Sequence, residues 1–295
     1  MNKEAKDKFG FYKDIIEQHL DKYIPIDYPI SIFESMKYSV MAGGKRLRPV
    51  ITLEVARMIC GDYEKAIPAA CAVEMLHTQS LIHDDLPCMD NDDYRRGKLT
   101  NHKVFGEAIA TLAGDALLSY APQVVLKHTP KSVPEKNILA VLNEFFTAAG
   151  VYGIIGGQVV DIESEHKKIE PKVLDYIHEF KTAKLFTFAV KAGALIADAD
   201  EKALEDLTKF SSLFGHAFQI YDDILDEIAT LEELGKTPGK DSAVEKSTYT
   251  SMYGLDKAKE EAISLCKQAC GILEKNNYNS PILEGIIADI IERIS

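Results

Sequence analysis

Several features that mark other protein classes are missing from this sequence. It has no tryptophan, and its five cysteines form no CxxC pair. Zinc ribbons, thioredoxin-like redox sites and compact disulfide frameworks depend on paired cysteines, so none of them is indicated. An odd number of cysteines without a pairing pattern favours reduced thiols, and we therefore expect a cytoplasmic protein.

Long apolar runs are missing as well. The most apolar stretch near the middle, AAGVYGIIGGQVV at 148–160, is short and rich in glycine, whereas a membrane-spanning helix needs roughly 20 apolar residues. The N-terminal segment mixes both charges and contains no apolar core, which is not typical of a secretory signal or a transit peptide. We therefore expect no stable membrane insertion.

Positive charge is in deficit. The chain has 46 acidic residues against 34 basic ones, and its net charge is −12. A negative protein does not attract the phosphate backbone of nucleic acids, so we expect no nucleic-acid partner. An anionic ligand must instead be bound by a local group of cations or by metal ions.

Strand patterns and hairpin turns are missing too, whereas apolar residues recur at spacings of three and four through most of the chain. One predicted helix starts near Pro49 and stops at Gly61, because proline suits the first turn of a helix and glycine its end. Another follows Pro68 and runs into a group of aspartates. With no flexible linker in between, the pattern predicts an all-α fold, one large helical domain over residues 1–295.

The first of two aspartate groups lies in IHDDLPCMDNDDYRRGK, residues 82–98. On a straight helix Asp84 and Asp90 would lie about 240° apart. Pro87 disfavours helical backbone at the residue before it and removes a backbone donor, so the chain can turn back there. Asp90 would then approach Asp84 and Asp85, and we predict a carboxylate cluster at the end of the helix.

The second group, Asp222, Asp223 and Asp226 in FQIYDDILDE, lies within a predicted helix. Residues i and i+4 share a helix face, so Asp222 and Asp226 point the same way. We interpret Asp92 and Asp93, in contrast, as solvated or capping residues. An acidic surface exposed to solvent is the alternative for either group taken alone.

Clustered carboxylates repel each other unless a cation neutralises them. Oxygen ligands without histidine or cysteine favour hard cations, and we predict Mg²⁺, with Mn²⁺ as the alternative. Mg²⁺ commonly takes one or two carboxylates and completes its shell with water and substrate phosphates. Two aspartate groups that face each other would therefore hold a diphosphate through metal ions.

Cations are concentrated at two places. GGKRLRP contains Lys45, Arg46 and Arg48 behind a glycine turn and ahead of a helix N-terminus, which favours anion binding. Arg95 and Arg96 follow the first aspartate group. Together these cations predict a metal-free site for a second anion. Metal ions would thus neutralise one diphosphate and make it a good leaving group. The other diphosphate, held only by Arg and Lys, would be positioned while its substrate does not ionise.

The sequence carries, in this order, the motifs GGKRLRP, LIHDDLPCMDNDDYRRG, GGQVVDIE, FKTAKL and FQIYDDILD…GKTPGKD. In content and order they resemble the motifs of the trans-isoprenyl diphosphate synthases, and most closely those of the bacterial farnesyl diphosphate synthases. The resemblance implies an all-α bundle of the isoprenoid synthase type around a central cavity, and a homodimer. It also implies Mg-dependent head-to-tail condensation of isopentenyl diphosphate with dimethylallyl or geranyl diphosphate, giving farnesyl diphosphate by ionisation, condensation and elimination.

The resemblance further implies roles for individual residues. Metal ions on the allylic diphosphate would be held by Asp84, Asp85, Asp90, Asp222, Asp223 and Asp226. Isopentenyl diphosphate would be bound by Lys45, Arg48, His77 and Arg96. Arg95 would meet the allylic diphosphate, Lys236 would add a diphosphate contact, and Gln158 and Asp161 would contact the metal-bound waters. The developing carbocation would be lined by Lys181, Thr182 and Gln219. Without its motif, His77 would be interpreted as a packed core residue.

Product length depends on the residues that close the chain-binding channel. In the family that this sequence resembles, a bulky residue five positions before the first aspartate often does so, and here Gln79 occupies that position, followed by Ser80. Glutamine is shorter and more polar than the aromatic residue of many bacterial farnesyl synthases. A geranylgeranyl diphosphate synthase with a twenty-carbon product is therefore the alternative. Fifteen carbons is the main expectation, because deeper residues from other helices can close the channel.

Two other classes use part of the same pattern. A class I terpene cyclase also has an aspartate-rich Mg²⁺ site on an α-bundle, but it needs no second diphosphate pocket, which leaves GGKRLRP and Arg96 without a purpose. A non-catalytic subunit that modulates a partner synthase tends to lose one acidic motif, and this chain keeps both. The sequence therefore favours the synthase over either.

Overall fold

A computed structural model describes residues 1–228 and 247–294. The prediction of an all-α protein is confirmed. The helices are α1 (Lys3–Tyr23), α2 (Ile30–Val40), α3 (Leu47–Cys60), α4 (Ile67–Asp84), α5 (Asn101–Phe105), α6 (Glu107–His128), α7 (Glu135–Ala149), α8 (Ile154–Ser164), α9 (Pro171–Ile177), α10 (Lys184–Ile196), α11 (Glu201–Ile228), α12 (Tyr249–Tyr253), α13 (Leu255–Lys275) and α14 (Pro281–Ile294). A 3₁₀ turn (Glu64–Ala66) precedes α4, and a π-helical segment (His178–Ala183) joins α9 to α10.

Helix α4 lies at the centre of the bundle. Most of its side chains are buried, and it packs against α3, α6 and α10. Its sequence IPAACAVEML is rich in alanine, and small side chains let neighbouring helices approach closely and exclude water. The buried helix ends at Asp84, so packing of the core fixes where the first aspartate group lies.

Predicted helix boundaries agree with the structure where a local signal is strong. Helix α3 ends at Cys60, and Gly61 caps it in the left-handed conformation with φ 78°. Pro49 lies in the first turn of α3, and Pro68 lies in the first turn of α4. Proline costs little there because the first amides of a helix have no intrahelical acceptor.

One hairpin was not predicted, and the expectation of no strand was wrong at this point. Strand β1 (Tyr94–Arg95) pairs antiparallel with β2 (Lys98–Leu99). The two turn residues, Arg96 and Gly97, have φ values of 54° and 74°. A two-residue turn with both residues left-handed matches the twist of a hairpin. Strands of two residues are too short to show an alternating pattern, so only Gly97 signals the turn.

Two stretches, Glu107–His128 and Glu135–Ser164, are long and apolar enough to cross a membrane by length and composition alone. The core helices of soluble proteins pass the same test. In the structure the second stretch is interrupted between Ala149 and Ile154. Of the most apolar 18 residues in each stretch, 44% are buried inside the fold in the first and 33% in the second. Both stretches are therefore parts of the helical bundle, with apolar side chains left on their outer face.

Candidate active site

Both predicted aspartate groups line one cavity of about 530 Å³. Its walls come from the end of α4, from α8, from the π-helical segment and from α11. The acidic residues on these walls are Asp84, Asp90, Asp92, Glu165, Asp222, Asp223 and Asp226. The structure thus brings together residues that lie far apart in the sequence, as the two-group interpretation requires.

The loop after α4 turns back as Pro87 predicts. The Asp90 amide donates a hydrogen bond to the Asp84 carbonyl at 2.8 Å, and the Asn91 amide donates to the Leu86 carbonyl at 3.1 Å. Asn91 has a positive φ of 49°, which asparagine tolerates better than most residues. Asp84 and Asp90 therefore reach the same cavity in spite of their spacing.

Asp85 has a different environment from Asp84 and Asp90. Its carboxylate is buried and accepts hydrogen bonds from Arg95, from Nε at 2.7 Å and from Nη2 at 2.6 Å. Burial raises the pKa of Asp85, and Arg95 opposes that rise. For Arg95, burial alone would lower the pKa, but Asp85 with Asp84 and Asp90 raises it overall. Asp85 thus holds Arg95 in place at the cavity wall.

In the second group, Asp222 and Asp226 line the cavity from one face of α11. Asp223 is buried, and both of its carboxylate oxygens are bonded by the protein. Oδ1 accepts from Gln219 Nε2 at 2.8 Å, and Oδ2 accepts from the Tyr249 amide at 2.7 Å with His178 Nε2 3.4 Å away. These contacts tie α11 to α12 and to the π-helical segment.

The donor set fits a hard divalent cation. Asp84, Asp90, Asp222 and Asp226 supply carboxylate oxygens from two sides of the cavity. Among the described residues, no three acidic, histidine or cysteine side chains lie close enough to hold one ion together. A Mg²⁺ ion that takes one or two carboxylates and fills its shell with water and phosphate oxygens needs no such cluster.

Gln158 supports the same interpretation. Its side chain is buried at the cavity wall, and neither its Oε1 nor its Nε2 has a hydrogen-bond partner in the described part of the chain. A buried amide without partners is costly. Ordered water or a substrate in the cavity would supply the missing hydrogen bonds.

The predicted carbocation-lining residues sit on the π-helical segment and on α11. Lys181 Nζ donates to Asp161 Oδ2 at 2.6 Å. Thr182 Oγ1 donates to Gln219 Oε1 at 2.5 Å, and Gln219 in turn bonds Asp223. The wide π turn interrupts an otherwise continuous α-helical pattern, as π-bulges at functional sites commonly do.

Close packing keeps α8 against this segment. A Cβ atom at Gly157 would lie 2.3 Å from the Lys181 backbone nitrogen. Only glycine therefore allows α8 to approach the π-helical segment so closely. The approach places Gln158 and Asp161 beside Lys181, which links the GGQVVD and FKTAK motifs.

A second pocket of about 360 Å³ adjoins the first and is rich in cations. Its basic lining residues are Lys45, Arg46, Arg48, His77, Arg95 and Arg96, several of which also line the large cavity. Glu74 and Asp222 lie at its wall as well. The predicted anion-binding residues are thus brought together next to the carboxylates.

Arg48 lies over an aromatic ring. Its guanidinium carbon lies 4.2 Å from the centre of the Phe186 ring and 6.0 Å from that of Phe218. Burial lowers the pKa of Arg48 to about 10, although the charge of Glu74 opposes the change. Its buried Nε has no acceptor among the described residues. A cation in this setting is poorly compensated and suits an anionic ligand.

His77 and Arg96 complete the wall of the second pocket. Burial, followed by the charges of Arg48, Arg96 and Arg95, lowers the pKa of His77 well below its ordinary value, so its imidazole is neutral at pH 7. Arg96 Nη2 lies 3.5 Å from His77 Nε2, and Arg96 Nη1 donates to the Gly43 carbonyl. Gly44 has φ 125°, a backbone conformation that favours glycine, and a Cβ there would also lie 2.8 Å from the Arg96 guanidinium carbon.

The residues assigned to product length lie in different environments. Ser80 lines the large cavity, one turn of α4 before Asp84. Gln79 is 9% exposed and does not line the described cavity wall. Its Nε2 lies 3.0 Å from His83 Nδ1, and His83 Nε2 contacts the Thr111 carbonyl of α6 at 3.1 Å. The glutamine therefore faces α6 through His83.

Two acidic cavity residues were not predicted as part of the site, and one predicted residue lies outside the described part of the chain. Asp92 was interpreted as solvated or capping, but it lines the cavity and lies 3.6 Å from Arg95 Nη2. Glu165 also lines the cavity and carries no motif that could have identified it. Asp93, in contrast, pairs with Lys103 on the exterior. Lys236 lies outside the described residues.

Comparison with known proteins identifies the family to which the chain is similar. The polyprenyl synthetase family model matches residues 30–284. The chain is 50% identical over 258 residues to the farnesyl diphosphate synthase of Bacillus subtilis (strain 168), covering 87% of each chain. It is 45% identical over 281 residues to the geranylgeranyl diphosphate synthase of Cyanophora paradoxa, covering 95% of this chain and 93% of the relative. The crystal structure of an FPP/GFPP synthase from Zymomonas mobilis matches with a TM-score of 0.85 at 31% identity, covering 98% of this chain and 99% of that one.

Proposed function

Because the chain belongs to the polyprenyl synthetase family, we propose that it joins isopentenyl diphosphate head-to-tail to allylic diphosphates and forms farnesyl diphosphate. The chain is a prenyltransferase, and relatives named as farnesyl diphosphate synthases span most of its length. One observation carries the proposal. A cavity with carboxylates on two sides adjoins a pocket rich in guanidinium and ammonium groups.

The prenyl synthases of this family generally use a divalent metal ion. We propose Mg²⁺, with Mn²⁺ as the alternative, held by Asp84 and Asp90 on one side and by Asp222 and Asp226 on the other. When bound, the metal neutralises charge that develops on the departing diphosphate. Arg95, fixed by Asp85, would add a positive charge to the same group.

The side chains of the chain itself would then orient the two substrates. Lys45, Arg48 and Arg96 would hold isopentenyl diphosphate by its charge, and the neutral His77 would add a hydrogen bond, so that the double bond of the substrate lies next to the allylic carbon. Holding two reactants in this way contributes up to about 7–11 kcal/mol to the lowering of the barrier. The dipoles of Thr182 and Gln219 would face the developing cation.

The cation must be kept from water and must then lose a proton. Apolar side chains such as Leu81, Ile154 and Leu185 line the cavity beside the polar groups and would exclude water from it. The released diphosphate is the base in this proposal, because it stays next to the new bond. Loss of the proton restores a double bond and completes the condensation.

Product analysis tests the function directly. Purified protein would be incubated with Mg²⁺, isopentenyl diphosphate and, separately, dimethylallyl, geranyl or farnesyl diphosphate, and the products identified by mass spectrometry. We expect a fifteen-carbon product that does not elongate further. A twenty-carbon product would instead identify a geranylgeranyl synthase. Activity with an allylic diphosphate alone would favour a cyclase, and activity only with a partner chain would favour a non-catalytic subunit.

Product length should respond more strongly at Ser80 than at Gln79. Ser80→Phe places an aromatic ring on the cavity wall one turn from Asp84, so with dimethylallyl diphosphate as the starting substrate we expect the ten-carbon product to accumulate in place of the fifteen-carbon one. Gln79→Phe faces α6 and His83 and should change the product ratio less. Mass spectrometry of the products of both variants tests this prediction. A larger change in product length from Gln79→Phe would place the end of the channel at Gln79.

We also propose a homodimer that uses the outer face of α7. Leu139 and Phe146 lie two turns apart on this helix and are 65% and 57% exposed. Exposed Val151 and Tyr152 follow at its end. Contiguous apolar surface of this kind is typical of protein interfaces rather than of monomer surfaces.

A charge on this face should dissociate the dimer. We expect Leu139→Asp combined with Phe146→Asp to shift the protein from dimer to monomer, measured by light scattering after size exclusion. Phe11→Asp on α1 is a matched control, since Phe11 is 52% exposed, and it should leave the mass unchanged. A wild-type mass of one chain would contradict the proposal.

We further propose that residues 1–295 form one cytoplasmic domain without stable membrane insertion. In support, one connected hydrophobic core runs from Tyr12 in α1 to Ile294 in α14. The five cysteines are all free, in keeping with a reducing compartment.

A further inference from the structure

Arg46 lies between two residues of the cationic pocket but differs from both. Lys45 is exposed and Arg48 lies at the cavity, whereas the Arg46 side chain is fully buried. Arg46 is among the residues that line the second pocket, but its guanidinium is fully buried and bonded to protein acceptors. The motif thus contains a third cation whose task is not substrate binding.

The Arg46 guanidinium donates to acceptors from three other helices, and each of its three nitrogens has a partner. Nε donates to Glu17 of α1 at 2.7 Å, Nη1 donates to Glu74 of α4 at 2.6 Å, and Nη2 donates to the Val40 carbonyl at the end of α2 at 2.5 Å. Charged hydrogen bonds of this kind are stronger than neutral ones and fix geometry. One side chain therefore ties the start of α3 to α1, α2 and α4.

The backbone at Arg46 is unusual as well. Arg46 precedes α3 with φ 53° and ψ 30°, in the left-handed region that side chains with a Cβ rarely adopt. Such a conformation persists only where the surroundings over-determine it. Here it redirects the chain between Lys45, which ends the glycine turn, and Arg48, which lies in the first turn of α3. The relative placement of these two cations depends on it.

Glu74 connects this anchor to the other side of the pocket. Its carboxylate is buried and lies 3.9 Å from Arg96 Nη2. Glu74 also opposes the lowering of the pKa of Arg48. The glutamate that accepts from Arg46 thus faces two of the proposed ligand-binding arginines.

We propose that Arg46 is a positioning residue for isopentenyl diphosphate. Its bonds to Glu17, Glu74 and the Val40 carbonyl hold the left-handed turn that sets the relative positions of Lys45 and Arg48 at the pocket. The inference rests on the proposed function, since it assigns that pocket to isopentenyl diphosphate. Arg46 makes no contact with the substrate and acts through its two neighbours.

A control on the same helix separates positioning from stability. Arg57 in the last turn of α3 donates from Nε and Nη2 to the buried Glu54 at 2.9 and 2.8 Å, and to the Asn279 carbonyl. It is thus a multiply bonded arginine about three turns from Arg46. Arg57→Lys should disturb packing in a comparable way without reaching the pocket.

The experiment compares Arg46→Lys with Arg57→Lys in the full chain. Lysine keeps the charge but loses the planar fork that reaches three acceptors. We expect Arg46→Lys to raise the KM for isopentenyl diphosphate about tenfold and to leave the KM for geranyl diphosphate within about twofold of the wild type. Arg57→Lys should lower the melting temperature but leave both KM values unchanged. Equal changes in both KM values, or none, in a folded Arg46→Lys protein would overturn the proposal.

Two further measurements keep the test decisive. If Arg46→Lys does not fold, Glu17→Gln removes the negative charge from one of the three contacts, on the partly exposed side, and should raise the same KM by a smaller factor. Calorimetric titration of wild type and variant with isopentenyl diphosphate in the absence of metal reports binding alone. Tight wild-type binding without any condensation would refute the proposed function yet still test the role of Arg46. Unchanged binding in the variant would refute that role.

Discussion

Replacing either Asp84 or Asp222 with alanine should lower turnover by roughly 10²-fold or more. Losses of this size are typical when a preorganised group that stabilises charge in the transition state is removed. The two residues line one cavity from α4 and from α11. Neither is part of the buried core, so we expect the fold to survive. Steady-state turnover with geranyl and isopentenyl diphosphates measures the effect, and circular dichroism checks the fold.

The control for this prediction lies in the same motif. Asp93 is an exposed aspartate that pairs with Lys103 at 2.7 Å on the exterior. Asp93→Ala should therefore keep near-normal turnover, although it removes the same charge from the same loop. If Asp84→Ala and Asp222→Ala also kept near-normal turnover, the assignment of two facing metal-binding groups would be wrong.

Replacing Arg48 with methionine should have opposite effects on activity and on stability. We expect kcat/KM for isopentenyl diphosphate to fall about 10²-fold, because truncation removes a charge from a buried, charge-assisted contact. The folded protein should become more stable, since burial holds the pKa of Arg48 at about 10 and thus disfavours its charged form. Methionine retains contact with Phe186 without that desolvation cost.

Thermal unfolding and substrate titration decide this second prediction together. A higher melting temperature with weaker binding of isopentenyl diphosphate would show that the cation is kept for function at a cost in stability. Arg57→Met offers a comparison, because Arg57 is paired with Glu54 and its loss should only destabilise. A lower melting temperature with unchanged affinity in Arg48→Met would contradict the assignment of Arg48 to the substrate.

Much of the fold could be predicted from local sequence signals, namely helical periodicity and the positions of proline and glycine. Helical periodicity predicted the all-α class, and Pro49, Gly61 and Pro68 marked helix ends that the structure confirms. Pro87 predicted the turn that brings Asp90 back toward Asp84. These inferences hold because proline and glycine act on their own backbone, whatever surrounds them.

The details of the candidate site depended on contacts between distant segments. Asp85 and Asp223 belong to aspartate motifs, yet Asp85 holds Arg95, and Asp223 bonds Gln219 and the Tyr249 amide. No local pattern distinguishes them from Asp84. The backbone of its own helix or loop sets the direction of each aspartate side chain, but the hydrogen-bond partner comes from another segment of the chain.

The sequence by itself determined the helical class, the two carboxylate groups and the excess of cations beside them. Only the tertiary structure decided that Ser80 rather than Gln79 lines the cavity, and that Arg46 is buried between Glu17 and Glu74. The physical reason is that composition and spacing specify which faces of a helix are apolar or charged. Which neighbour meets each face is settled by packing of the whole bundle, where burial and pairing of charges are decided together.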